Sequence, residues 1–351
     1  GSFETFLGRG RATGVNPGSN HTTTPSEDKF GMYLGGPMQT TLFKTSTGDP
    51  KDFLMFSDST LTGDNQNSGA SSTCAIRAHN RNLAQTKTLF GEDVAPDKVN
   101  NIVGEYSLGC VQTSLFNQNG LLNSLLEPVG FITDLTNLYI ADNRAHCILK
   151  LDSSGNLRNF IGRCGTAGSN DAIGNGDNST NPTLVTYPTE MVIDPLNPSN
   201  FFFLEGYNQT TGKIRYANTG TDSVSFPSIA GGLAPGKGSG EVKTTTLWNF
   251  SPTGTTARLN GIAAFENKWI CVSTGGGSSN TQLWLDVNTG THGVYCFDRS
   301  DAAGNLQRII GSNPTTSTRG GSQLGLEAEL KAGTQVQLYQ PHGIAFDADG
   351  N

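Results

Sequence analysis

The chain has 351 residues, a formal net charge of −7 and only 15% charged residues, with no two Lys or Arg residues adjacent. That balance offers no basic footprint for a phosphate backbone, so nucleic acid is not an expected partner. Apolar runs such as Phe201-Phe202-Phe203-Leu204 are far too short to span a bilayer, while 45 glycines and abundant Ser, Thr and Asn suit many short strands joined by polar turns.

Taken in chain order, Phe3-Glu4-Thr5-Phe6-Leu7-Gly8 reads as a final strand. A segment over 38–91 follows, with Phe53 to Asp58 as its second strand, Cys74 to Arg77 as its third and Thr88 to Gly91 as its fourth. The clearest pattern is 128–162, where Pro128 to Ile132, Leu138 to Asp142, Cys147 to Asp152 and Leu157 to Gly162 are four strand-length pieces. Two further copies span 188–231 and 259–311, and Gln340-Pro341-His342-Gly343-Ile344-Ala345-Phe346-Asp347 begins another that stops at Asn351. Self-similarity of this kind signals a repeat architecture, here of blades that each supply four antiparallel strands.

Turn chemistry supports the division. Asp152-Ser153-Ser154-Gly155-Asn156, Asp301-Ala302-Ala303-Gly304-Asn305 and Asp347-Ala348-Asp349-Gly350-Asn351 place Gly and Asn where hairpins need positive φ. Asp347-Ala348-Asp349-Gly350 also resembles the start of a calcium loop, but no later bidentate Glu follows, and the hairpin is the preferred reading. The repeat starts at Pro128, Pro188, Leu259 and Pro341 lie farther apart than the roughly 40 residues of a compact blade. The excess falls in 165–183, 231–246 and 313–323, expected as long loops of the kind that carry recognition.

Pro341-His342-Gly343-Ile344-Ala345 and Leu138-Tyr139-Ile140-Ala141-Asp142 resemble the NHL repeat, with its Pro-x-Gly-Ile-Ala inner strand, Ile/Leu-Tyr-Ile-Ala-Asp second strand and basic third strand. The apolar segments 121–126 and 324–330 resemble that family's approach to the inner strand. The resemblance implies an all-β fold, a β-propeller of NHL-like four-stranded blades with long inter-blade loop insertions. Five blades are visible in part, and six are expected if the propeller is complete. Residues 1–351 are then a single propeller, with the pieces at 1–9 and 341–351 sharing a split blade. Two middle strands of that blade are unaccounted for, so either a longer native chain or a neighbouring subunit is expected to complete it by strand addition.

The family mixes binding modules with enzymes, so fold alone gives little on function. In its lyases, histidines from several blades converge on a metal, one of them directly after the inner-strand proline. His342 holds that place here, but the matching positions are Met38, Val129, Thr189 and Asn260, so the trio of imidazoles is missing. These five residues are the channel-mouth candidates, and no catalytic residue, metal or cofactor is expected. The remaining histidines, His21, His79, His146 and His292, are expected away from that channel. The run Gly231 to Lys237 has Walker-like spacing, but Gly238 replaces the hydroxyl residue and no helix pattern follows; no G-x-S-x-G or H-E-x-x-H occurs. Asp142, Arg144 and Lys150 read as structural ties, Trp269 as core, and Trp248 and Trp284 as candidate sugar-stacking platforms.

Six cysteines without a C-x-x-C pair favour disulfides. The blade assignment puts Cys271 and Cys296 on adjacent strands where a bridge can form, with Cys147–Cys164 and Cys74–Cys110 as candidate local pairs, one set among the 15 connectivities that six cysteines allow. Sequons stand at Asn20, Asn178, Asn208 and Asn249. The leading expectation is a non-catalytic extracellular or cell-surface propeller, binding protein or glycan through its inserted loops or serving in surface assembly, with self-association through an open blade edge. The alternative is a propeller lyase or hydrolase with a channel metal.

Overall fold

A computed structural model describes residues 27–28, 37–43, 53–59, 74–104, 110, 118–120, 125–171, 183–206, 212–226, 233–250, 257–276, 293–300, 307–311, 338 and 341–351. The chain divides into two compact units, Gly1–Asn159 and Phe160–Asn351. Among the described residues the elements are strands, assembled into the up-and-down antiparallel sheets that form the blades of a β-propeller.

In the first unit the chain lays down β1 (Glu27–Asp28), β2 (Pro37–Phe43), β3 (Phe53–Ser59) and β4 (Cys74–Asn80). It then makes a hairpin of β5 (Lys87–Leu89) and β6 (Glu92–Val94) before β7 (Lys98–Val103). The sheet order is β1-β7-β4-β3-β2. Thr88 to Gly91, expected as the fourth strand of a blade ending at residue 91, is therefore corrected: that strand is β7. The cause is local. Phe90 and Gly91 both take positive φ (49° and 82°), the requirement of a tight hairpin, so β5 pairs with its own continuation rather than with β4.

The second sheet follows the sequence pattern closely. It comprises β8 (Gln118–Asn119), β9 (Pro128–Thr133), β10 (Leu138–Asp142), β11 (Cys147–Leu151) and β12 (Asn156–Gly162), in the order β8-β12-β11-β10-β9. Its turns form as their composition dictates. The Asp152 carboxylate accepts the Ser154 and Asn156 backbone N–H groups at 2.9 and 3.0 Å, and Gly155 takes φ 82°.

In the second unit β13 (Met191–Asp194), β14 (Asn197–Glu205) and β15 (Gly212–Asn218) are followed by a hairpin of β16 (Val224–Ser225) and β17 (Leu233–Ala234), then by β18 (Lys243–Phe250). The order β13-β14-β15-β18 moves the end of this blade from residue 231 to 250. Residues 233–246 accordingly lie within a blade, as a hairpin strand and the start of β18, instead of forming a loop between blades. The last sheet is β19 (Ala257–Phe265), β20 (Trp269–Gly276), β21 (Gly293–Asp298) and β22 (Gln307–Ile310), in chain order.

The run Phe201 to Leu204 is continuous rather than alternating because β14 is buried on both faces. Phe202 and Leu204 join Ile214, Tyr216, Phe226, Leu247, Ile262, Ile270, Val272 and Phe297 in a core between the two sheets of this unit. Phe201 and Phe203 pack 6.2 Å apart, and Phe201 also meets Phe160. Trp248, which the sequence suggested as an open platform, packs partly buried against that core with its ring centroid 3.5 Å from that of Phe297. Trp269, expected in the core, instead sits partly exposed at the start of β20 under the Lys268 ammonium.

Candidate functional site

The first strand of every described blade carries an extra residue at the place the sequence singled out. On β2, Pro37 faces Asp58 and Thr40 faces Phe56, so Met38 and Gln39 together oppose Ser57. On β9, Pro128 faces Asp142 and Gly130 faces Ala141, leaving Val129 unopposed. On β19, Leu259 faces Thr274 and Gly261 faces Ser273, leaving Asn260 unopposed. Ahead of β13, Thr189 N–H donates to the Leu204 carbonyl while Leu204 N–H donates to the Glu190 carbonyl, both at 3.0 Å, so two residues oppose one. These are β-bulges, which break strand alternation and re-aim side chains.

Polar side chains at two of these bulges reach the next inner strand of their own unit. The Gln39 Oε1 accepts the Phe131 N–H, and the Asn260 Nδ2 donates to the Pro341 carbonyl at 2.9 Å. The segment after Pro341 lies beside β19 in constant register. Residue 260 meets 341, the Ser273 hydroxyl donates to the His342 carbonyl, and the Phe265 and Phe346 rings lie 5.4 Å apart. Gly261 is required there, because a Cβ would collide with the His342 carbonyl oxygen. Asn260 and His342 are thus brought together through the backbone of 341–342. Val129 is buried and apolar.

The third blade differs. Thr189 is 8% exposed and its hydroxyl has no hydrogen-bond partner. The partly buried Glu190 carboxyl has its pKa raised from 4.5 to about 7, and burial is the cause. Glu190 is the residue that sequence reading missed, since attention rested on the position directly after the proline. The signal was available one residue later, where Gly130, Gly261 and Gly343 stand in three copies and Glu190 replaces them.

Other buried acids are consumed by the fold. Asp142, 2% exposed, accepts the Leu126 and Glu127 N–H groups at 2.8 and 2.7 Å, yet burial outweighs these bonds and raises its pKa to about 6. Arg144 lies 3.9 Å from Glu127, and the Lys150 ammonium stands 5.9 Å from the centre of the Tyr139 ring. Asp58 pairs with Arg77 at 3.6 Å. The buried Arg215 donates to Glu205, to Asp171 and Thr244 at 3.1 Å each, and to the carbonyls of Leu184 and Asn170, fixing residues 168–171 against 184–186. Asp194 is held by Arg299.

Disulfides join Cys74 to Cys110 and Cys271 to Cys296, the latter directly opposite each other on β20 and β21; Cys147 and Cys164 are also disulfide-bonded. Bonds of this kind persist in oxidising compartments. Sequons Asn20, Asn178 and Asn208 lie outside the described residues, while Asn249 lies in β18. His79 bonds Asp97 at 3.1 Å; burial lowers the pKa of His146; His21 and His292, like Trp284, lie outside the described residues. Lys237 N–H donates to the Gly220 carbonyl, and the chain runs on into β18 rather than a helix, so no helix N-terminus faces this glycine run. The Asp347 carboxylate accepts the Asp349 and Asn351 N–H groups at 3.0 and 2.8 Å, as the hairpin reading requires. Among the described residues no three His, Cys, Asp or Glu side chains group to hold a metal ion, and no helix is long and apolar enough to cross a membrane.

No family model matches the chain, and no curated protein matches it. Among solved structures, the chain is similar to one in a nidogen/laminin complex at 11% identity and TM-score 0.40, covering 85% of this chain and 65% of that one. A protein of unknown function from Bacteroides thetaiotaomicron shows 17% identity and TM-score 0.29, covering 50% and 46%. A streptogramin B lyase shows 14% identity and TM-score 0.26, covering 90% and 89%. The chain thus spans less than two thirds of the length of the first two of these chains.

Proposed function

We propose that the protein is a non-catalytic extracellular or cell-surface propeller of NHL-like blades that binds a protein or glycan, or serves as a structural unit of a surface assembly. The observation that supports this is the use made of the polar inner-strand positions. Gln39 and Asn260 bond the backbone of the neighbouring inner strand, and the acids and arginines of the blades bond one another, which leaves recognition to the surface. The disulfides fit an exported chain. Purified protein tested by surface plasmon resonance against immobilised matrix proteins and a glycan array is expected to give saturable binding. A tightly held metal near one per chain, together with lyase or hydrolase turnover, would overturn the reading. One observation favours the enzyme alternative: Glu190, with a pKa near neutrality, has the property that acid–base chemistry needs.

A further inference from the structure

Buried carboxylates in proteins are paired or hydrogen-bonded because an isolated charge is costly to desolvate. The second unit follows this rule on both sides of Glu190. Glu205, on the strand opposite, is engaged by Arg215, and Asp194, at the far end of β13, by Arg299 and the Tyr216 hydroxyl. The first unit follows it with Asp58, Glu127 and Asp142. Glu190 breaks it. Among the described residues no cation or N–H donor reaches its partly buried carboxyl, burial is what raises its pKa, and the hydroxyl of the adjacent Thr189 is more than nine-tenths buried and unpartnered. The bulge that displaces these two residues from the ladder, with both opposing Leu204, releases their side chains from strict alternation across the sheet. At the equivalent bulges the polar group is already occupied by the protein's own backbone.

We propose that the Thr189–Glu190 bulge is a recognition point for a cationic hydrogen-bond donor, the ammonium or guanidinium group of a lysine or arginine side chain on a partner protein. This rests on the binding reading above and names the chemistry of one contact within it. Such a group supplies what the site lacks: a positive charge for the carboxylate and N–H donors for both the carboxylate and the threonine oxygen. Charge-assisted bonds of this kind are stronger than neutral ones. Binding draws the carboxyl into its ionised form and so releases a proton near neutral pH.

The test uses the full chain with its glutamates labelled at the carboxyl carbon, titrated by NMR with and without a lysine-containing hexapeptide and with the Nε-acetylated form of that peptide. The free protein is expected to show the Glu190 midpoint near 7. Saturating lysine peptide lowers it by about one unit, equivalent to about tenfold tighter binding to the ionised carboxyl, and the acetylated peptide leaves it unmoved. Affinity for the lysine peptide rises several-fold from pH 6 to pH 8 in the parent protein. Glu190→Gln abolishes that rise and weakens binding at pH 8 about tenfold, while Thr189→Val weakens it less. An unmoved midpoint, or equal binding by Glu190→Gln, overturns the proposal. If the glutamine variant does not fold, the parent titration decides alone. Saturable binding on the matrix and glycan panel with an unmoved Glu190 refutes this contact and leaves the binding reading standing; turnover with a resident metal refutes that reading instead.

Discussion

Arg299 follows β21 and is 6% exposed, with its guanidinium set on the Asp194 carboxylate at 2.7 and 3.3 Å. The same group lies 5.0 Å from the Phe226 ring centre and 5.5 Å from that of Phe202, and Asp194 itself has no exposure to solvent. Replacing Arg299 by Ala leaves a buried carboxylate without its cation, a change that costs about 3–5 kcal/mol in comparable sites. The Tyr216 hydroxyl at 2.7 Å and the Leu196 N–H at 3.0 Å remain as donors to Asp194, which places the loss at the lower end, about 3 kcal/mol. Loss of the two ring contacts adds roughly 1 kcal/mol. For a unit of this size, 3–4 kcal/mol lowers Tm by on the order of 10 °C. Differential scanning calorimetry reads this on the transition of the second unit, because two units need not unfold as one. In an Asp194→Asn background no charge is stranded, so the same Arg299→Ala substitution is expected to cost less than half as much. A fall under about 2 °C, or an equal loss in both backgrounds, would refute the claim that this pair is a buried tie of the second unit.

Removing the Cys271–Cys296 bond by a double Ala substitution opens a loop with a sequence separation of 25 and is expected to cost about 3.5 kcal/mol by the loop-entropy relation, read as a lower midpoint in guanidinium unfolding. Asp142 has a folded-state pKa near 6 against an ordinary 3.8, so it contributes stability below about pH 4 that is lost as the pH rises through 6; Asp142→Asn is expected to remove that slope from the first unit's pH–stability profile, and an unchanged slope would count against it. Gly261→Ala is expected to push the His342 carbonyl away from β19 and to lower the thermal midpoint of the second unit by several degrees. Asn260→Ala, which removes one hydrogen bond worth about 1 kcal/mol, should have a smaller effect in the same measurement.

The strands β9 to β12 were legible because each is a short, largely apolar run closed by an Asx or Gly turn in an uninterrupted meander, whereas β8, the polar pair Gln118–Asn119 that joins beyond β12, gave no such signal. The first and third blades were misjudged at one place each, and for one reason. In both, a short hairpin stands between the third and fourth strands, β5–β6 in one and β16–β17 in the other. A hairpin strand ending in Gly has the local composition of a blade's last strand. Which strand it pairs with is decided by the turn that follows, and in β5–β6 that turn rests on the positive φ of Phe90, a residue type that gives no warning of it.

The candidate positions show the same division between composition and register. A bulge is a property of two strands, visible only when partners are matched, so Met38, Val129, Thr189 and Asn260 were read only as channel-mouth positions lacking the histidines of a metal site, when they are first of all places where the ladder gains a residue. The extra residue gives a side chain a direction that strand geometry otherwise denies it. Where that side chain, or the one beside it, is an amide, the neighbouring inner strand lies within reach and the bulge ties two blades of one unit together. Where the pair is Thr189 and Glu190, no backbone group among the described residues meets the two side chains, and burial raises the pKa of the carboxyl to about 7. Substituting the glycine of the repeat by glutamate therefore converts a structural device into an unsatisfied one. A fold that pairs its buried acids retains this partly buried one at a cost in stability, which the proposed cationic partner would offset.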